Sequence, residues 1–124
     1  AMSAGEKKGR LGEDAARLYL ENKGFSFVAA NLHVGHDEID LLMRDGRTLV
    51  FVEVKLRTAG DGRFAVDAAK QRRISRAAVS YLQTHGGFEQ PVRFDVVEID
   101  YSGAEMEIRH LPDAFPLARG RYFV

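Results

Sequence analysis

The chain has 124 residues, with 45% hydrophobic and 29% charged side chains, the composition of a soluble globular domain built on one core. It has no cysteine, which excludes disulfides and thiolate metal sites and fits a cytoplasmic location, and no apolar run approaches the roughly 20 residues that cross a bilayer. Eighteen basic residues balance eighteen acidic ones, so net charge gives no reason to expect a polyanion partner, although a balanced total can hide a basic face.

Ala1 ahead of Met2 reads as a remnant of recombinant expression, no signal-peptide core follows, and the small and charged residues 1–8 read as a frayed start. A helix is expected from near Gly9 to about Lys23. Leu11, Ala15, Leu18 and the Tyr19/Leu20 pair form an apolar stripe at helical spacing, and Gly24 stops it. Glu13, with Arg10 and Arg17 three and four residues away, reads on pattern alone as part of a solvated ion-pair ladder. Phe25 to Leu32 is a first strand. A loop with His33, Gly35, His36 and Asp37 follows. An H-x-x-H spacing can bind a metal, but isolated histidine pairs in loops are more often plain surface residues.

The stretch Asp37–Arg57 organises the rest. Ile39 to Met43 and Thr48 to Glu53 read as two strands around an Asp45-Gly46 hairpin turn. A buried strand excludes charges unless they are paired or bound to a metal, yet Asp40, Glu53 and Lys55 interrupt the most apolar part of the chain. If Asp45-Gly46 is the two-residue loop, Arg44 pairs with Arg47 and Asp40 lies opposite Phe51. Asp40, Phe51, Glu53 and Lys55 then share one face, with Asp40 and Glu53 diagonal neighbours at roughly 7–8 Å. A four-residue loop keeps that parity; a three-residue loop or a bulge breaks it.

Leu56 to Arg63 is a glycine-rich, partly basic loop, a surface connection by default and a flap at most. A second helix is expected from about Asp67 to His85, with Asp67 as N-cap, Ile74, Ala77, Ala78, Tyr81 and Leu82 as apolar face, and Gly86-Gly87 as stop. Lys70, Arg72, Arg73 and Arg76 crowd its first half, a solubility feature on an ordinary helix but well suited to phosphates beside an acidic metal site. Val92 to Asp100 is a strand, Tyr101 to Ala104 a turn, and Met106 to Leu111 a last strand. The order α-β-β-β-α-β-β is an α/β sheet flanked by helices, one domain over residues 9–111. The tail 112–124 packs on the domain or forms an oligomer contact.

Two carboxylates on one sheet face with a lysine two residues beyond suit Mg²⁺ or Mn²⁺, which take one or two carboxylates plus waters and phosphate oxygens. Asp40 and Glu53 are the expected ligands and Lys55 the cation that steadies the attacking water or the pentavalent phosphate. The alternative is a buried Glu53–Lys55 or Asp40–Lys55 ion pair without chemistry.

Asp40 followed by Glu53-Val54-Lys55 resembles the D…E-x-K signature of the restriction-endonuclease-like nucleases, whose core is αβββαβ. The chain is more specifically similar to the YraN-like family within that superfamily. The similarity lies in Gly12-Glu13-Asp14-Ala15-Ala16, Tyr19-Leu20, Gly24-Phe25, Asn31, Glu38-Ile39-Asp40-Leu41-Leu42, Val50 to Arg57, Lys70, Ala78 and Tyr81-Leu82, spanning roughly residues 9–100. Asp37 stands where a glycine is usual, and Leu32-His33 lacks a basic residue common after Asn31. The resemblance implies a fold of that core with an extra C-terminal strand. It also implies Asp40 and Glu53 as metal ligands, Lys55 as catalytic cation, and Glu13 as a helix-borne carboxylate completing the site, as in resolvase-type members.

The expectation that follows is a metal-dependent endonuclease acting on DNA, branched or otherwise structured, with Arg57, Lys70 and Arg73 as nucleic-acid contacts. Cutting both strands of a duplex suits a homodimer, with Phe115 to Val124 as the available contact surface. Two other readings remain: a nucleic-acid-binding module with a weak or inactive site, and an interaction protein in which the polar trio is structural.

Overall fold

The computed structural model describes residues 2–57, 66–101 and 103–118. The first helix, α1, spans Ala4–Asn22 and starts upstream of the expected Gly9. Ser3 accepts a hydrogen bond from the Glu6 N–H at 3.1 Å, and the Glu6 carboxylate accepts one from the Ser3 N–H at 3.3 Å. This reciprocal cap satisfies two orphan donors, so the segment expected to fray carries the first helical turn. The buried face also differs from the expected stripe. Leu20 of that stripe is buried and Ala15 and Tyr19 pack against the core, but Leu11 and Leu18 are 65% and 59% exposed, and Gly12 and Ala16 are buried in their place. Small residues bring the helix close to the sheet: a Cβ on Gly12 would run into the Leu56 side chain.

Five strands follow: β1 (Ser26–Val34), β2 (Asp37–Asp45), β3 (Thr48–Arg57), β4 (Val92–Asp100) and β5 (Glu107–Leu111). They form one sheet in sequential order, antiparallel except for the parallel pair β3/β4. The second helix, α2 (Ala68–His85), makes the crossover between those two, capped by Asp67, which accepts from the Lys70 N–H at 2.8 Å. The helices lie on opposite faces. Ala16 and Leu20 of α1 pack on Leu41, Met43, Val50, Val52, Val97 and Ile99. Ile74, Ala77, Ala78 and Leu82 of α2 pack on Ile39, Leu42, Phe51, Phe94 and Val96. This is the expected α/β architecture, an αβββαβ core with an added strand. His33 lies in β1 rather than in a loop, paired with Glu38.

The hairpin register corrects the expected one by two residues. Asp45 pairs with Thr48, so the loop is Gly46-Arg47, and Leu41 pairs with Val52. Gly46 carries the positive φ of 61° that the tight turn requires. A shift of two preserves parity. It also moves Asp40 from diagonal to nearly opposite Glu53.

A kink crosses β1 and β2 at Asn31 and Asp40. Leu41 and Met43 face α1 and Leu42 faces α2, but Ile39, two residues from Leu41, also faces α2. The pairs Ala30–Leu41 and Leu32–Ile39 on either side keep one register, the shift between β1 and β2 lying at Phe27/Ala29, and Asn31 has a left-handed φ of 52°. Asparagine tolerates that conformation better than most side chains. Asp40 therefore sits where the sheet turns from one face to the other.

Part of the tail packs on the domain. Phe115 is buried and stacks on Phe94 at 5.3 Å between ring centroids, and the Ala118 N–H donates to Ser75 Oγ at 2.9 Å. Residues 58–63 of the expected glycine-rich loop and residues 119–124 of the tail lie outside the described residues.

In the middle of β4, in register with Val52 of β3, Asp95 is fully buried. Arg93 donates to it twice, at 2.8 and 3.0 Å; His110 Nε2 lies 2.7 Å away, and the Asp113 N–H donates at 3.0 Å. Burial alone raises a carboxyl pKa, but the hydrogen bonds from His110, Arg93 and Asp113 outweigh it and hold Asp95 below its usual range. Its stabilising contribution is thus present above the unfolded pKa and lost as pH falls through the folded one. Asp95→Ala strands Arg93 and His110 and is expected to cost about 3–5 kcal/mol in urea unfolding near neutral pH, against about 0.5 or less for the exposed control Asp14→Ala. Equal losses in the two variants contradict this role.

Candidate metal centre and nucleic-acid interface

Recorded pairing between β2 and β3 stops at Leu41/Val52. Beyond it the Val54 N–H donates to the Asp40 carboxylate at 2.8 Å, so a side chain takes the place of the next ladder bond. That bond holds the Asp40 carboxyl over β3, within hydrogen-bonding reach of Glu53. The parallel register of β3 with β4 runs unbroken from Leu49 to Arg57, so alternation places Phe51, Glu53, Lys55 and Arg57 on the α2 face. The structure thus brings together Asp40 and Glu53, and Lys55 follows on the same face with an exposed side chain.

From α2, Lys70 Nζ lies 3.6 Å from Glu53 Oε1, with 40% of the lysine side chain exposed and 11% of the glutamate's. Arg73, one turn on, is exposed. Two other cations are engaged in short ion pairs. Arg76 donates twice to Asp37 at 2.8 Å, tying α2 to the start of β2, and Arg57 donates to the buried Glu98 at 2.8 Å. The Arg76 guanidinium holds Asp37 below the usual carboxylate range. Glu98 stands in register with Lys55.

Glu13 approaches from α1. Asn31 hydrogen-bonds to it and the Asp40 charge acts on it, yet its Oε2 is buried without a hydrogen-bond partner. It lines a cavity of about 360 Å³ with Arg10, Asn31 and Glu38. A larger, mainly apolar cavity of about 410 Å³ lies around Phe88, Phe115 and Leu117 and shares no residue with this one. His33 and His36 are exposed. Among the described residues, no three His, Cys, Asp or Glu side chains converge as a metal site by themselves. The donor set that remains, two adjoining carboxyls with a buried unpaired carboxylate oxygen nearby, is the kind Mg²⁺ or Mn²⁺ completes with water and phosphate oxygens.

The electrostatics follow from that crowding. Burial, then the Asp40 charge, pushes Glu53 up to about 7, with Lys70 opposing. Asp40 is raised too, first by burial, against the pull of the Val54 N–H and of Lys70. Burial, then Asp40, raises Glu13 to about 7. A carboxyl whose folded pKa exceeds its unfolded value keeps a proton in the folded state that the unfolded chain releases. Stability therefore falls as pH rises from about 4.5 to about 7 and levels off above. Glu53→Gln removes one such group. Its urea midpoint should exceed wild type near pH 8, with a shallower decline between those values; a lower midpoint and an unchanged slope contradict the shift.

Sequence reasoning foresaw the carboxylate pair and its parity but missed Asp95, Glu98 and the Arg76–Asp37 tie. For Asp95 and Glu98 the signal was present, since both are charges inside the apolar run Val92–Asp100, the same criterion that singled out Asp40.

The model of the uncharacterised protein family UPF0102 matches residues 12–99. A UPF0102 protein of Syntrophus aciditrophicus is 41% identical over 123 residues, covering 97% of each chain. One from Geobacter metallireducens is 42% identical over 113 residues, 89% of this chain and 93% of the relative. One from Shewanella amazonensis is 46% identical over 110 residues, 86% and 97% respectively. Identity at that level along almost the full length, with Glu13, Asp40, Glu53 and Lys55 inside the matched span, means that the chain belongs to UPF0102, the YraN family.

Proposed function

We propose that this protein is a metal-dependent endonuclease that hydrolyses phosphodiester bonds in DNA, with branched or otherwise structured DNA as the preferred form. The observation that carries this reading is the meeting of the Asp40 and Glu53 carboxyls beside Lys70, on the sheet face that also bears Lys55. Folding alone gives no reason for it, because burial raises the pKa of both carboxyls, the Asp40 charge raises that of Glu53 further, and both shifts oppose stability near neutral pH.

Asp40 and Glu53 would hold Mg²⁺ or Mn²⁺, which when bound lowers the pKa of a coordinated water and offsets charge on the phosphodiester in the transition state. Lys55, two residues beyond Glu53 on the same face, supplies an ammonium to the phosphate oxygens as charge builds on them. Glu13, raised to about 7, is matched to taking a proton near neutral pH from the side opposite α2. Lys70 and Arg73, neighbours on α2, hold flanking phosphates. Arg57 contributes through Glu98, its ion pair bracing the strand segment that carries Lys55.

The second reading, a nucleic-acid-binding module with a weak or inactive site, draws on the lack of a third converging ligand among the described residues.

The test uses labelled linear, nicked, flapped and four-way-junction DNA and structured RNA, each in EDTA, Mg²⁺ and Mn²⁺, with Glu53→Ala in parallel. Expected is cleavage that needs metal and falls by at least about a hundredfold in the variant, the scale of losing a group that stabilises the transition state. Equal cleavage by both proteins, or none with binding retained, overturns the nuclease reading, and the latter favours the binding module.

A further inference from the structure

We propose that Lys70 competes with the divalent cation for Glu53, so that metal loading of the site is coupled to nucleic-acid binding. This inference rests on the metal-dependent reading above and concerns how that same site is regulated.

Lys70 differs from the other cations held by ion pairs around it. Arg76 and Arg57 are locked to Asp37 and Glu98 by contacts of 2.8 Å. The Lys70–Glu53 contact is longer, at 3.6 Å, and its lysine side chain is 40% exposed. Its backbone is fixed by the Asp67 cap, so exchange needs only rotation of the side chain. The Lys70 charge acts on both Asp40 and Glu53. A divalent ion on those carboxylates would sit roughly 2.0–2.1 Å from its ligand oxygens, a few ångströms from the ammonium, where like charges repel.

A phosphodiester changes that balance. Lys70 lies on the first turn of α2 with exposed Arg73 one turn on, so an arriving phosphate offers the ammonium another anion and draws it off Glu53. Metal then binds more tightly when nucleic acid is present, and by reciprocity nucleic acid binds more tightly when metal is present. The free protein would carry little metal, and a charged centre would assemble only on substrate.

The test is calorimetric titration of Mn²⁺ into the wild-type chain, Lys70→Met, Lys70→Arg and Glu53→Gln. Binding of a four-way junction with phosphorothioate linkages is then measured with and without Mn²⁺. Lys70→Met should bind Mn²⁺ about tenfold more tightly than wild type, the scale of one unit charge a few ångströms away in a half-exposed site, and Lys70→Arg should not. Mn²⁺ should strengthen junction binding by wild type and do so less in Lys70→Met. If Mn²⁺ binding is lost in Glu53→Gln but no tighter in Lys70→Met, this inference alone falls. If neither wild type nor Lys70→Met binds Mn²⁺ at a site that Glu53→Gln removes, and Mn²⁺ leaves junction binding unchanged, the metal-dependent reading falls with it.

Discussion

The hydrogen bond from the Val54 N–H to the Asp40 carboxylate is the contact on which the site depends. An antiparallel hairpin normally satisfies its backbone donors by continuing the ladder. Here the recorded ladder ends at Leu41/Val52, and a side chain takes the next donor. That substitution opens β2 from β3 and directs a carboxylate onto β3 next to Glu53. The kink at Asn31 makes it possible, because it turns β1 and β2 between faces at the position of Asp40.

Around that contact the fold is arranged to hold charge in place. Gly12 and Ala16 let α1 lie close against the sheet, which brings Glu13 to the Asp40 side of the kink. The Asp67 cap and the Arg76–Asp37 pair fix α2 at both the start of the helix and the start of β2, which sets where Lys70 stands. On the opposite face of the sheet, Asp95, in register with Val52, is held by Arg93 and His110. The two polar clusters contrast. Asp95 has its oxygens satisfied and its pKa lowered, as in a structural network; Asp40, Glu53 and Glu13 are raised, as in a site built to meet a cation.

Much of this was legible in the sequence. The strand Val92–Asp100, the α2 boundaries and the element order follow from periodicity and caps, and the pairing of Asp40 with Glu53 follows from strand parity. The loop was misplaced by one residue on each strand, because Asp45-Gly46 is a strong turn signal while the chain turns at Gly46-Arg47. A shift of two in register left the face assignment intact. The α1 face was foreseen at Leu20, Ala15 and Tyr19 but misjudged at Leu11 and Leu18, because large apolar side chains outrank glycine and alanine in any hydrophobicity pattern. Close helix–sheet approach reverses that ranking. Glu13 could not be raised above a surface ion pair by local spacing, since its burial comes from β1 and β2, remote in sequence. The side chains that meet across elements, Lys70 with Glu53 and Arg57 with Glu98, depend on distances no single strand or helix encodes.

The central claim is that Asp40 and Glu53 form one electrostatic unit suited to a divalent cation. Carboxyl-carbon NMR titration of the wild-type chain and of Asp40→Asn, with and without Mg²⁺, tests it most directly. Glu53 should titrate near about 7 in the wild type, lower in Asp40→Asn, and lower again when Mg²⁺ is added to the wild type. A Glu53 that titrates in the ordinary carboxylate range and responds to neither change contradicts the account.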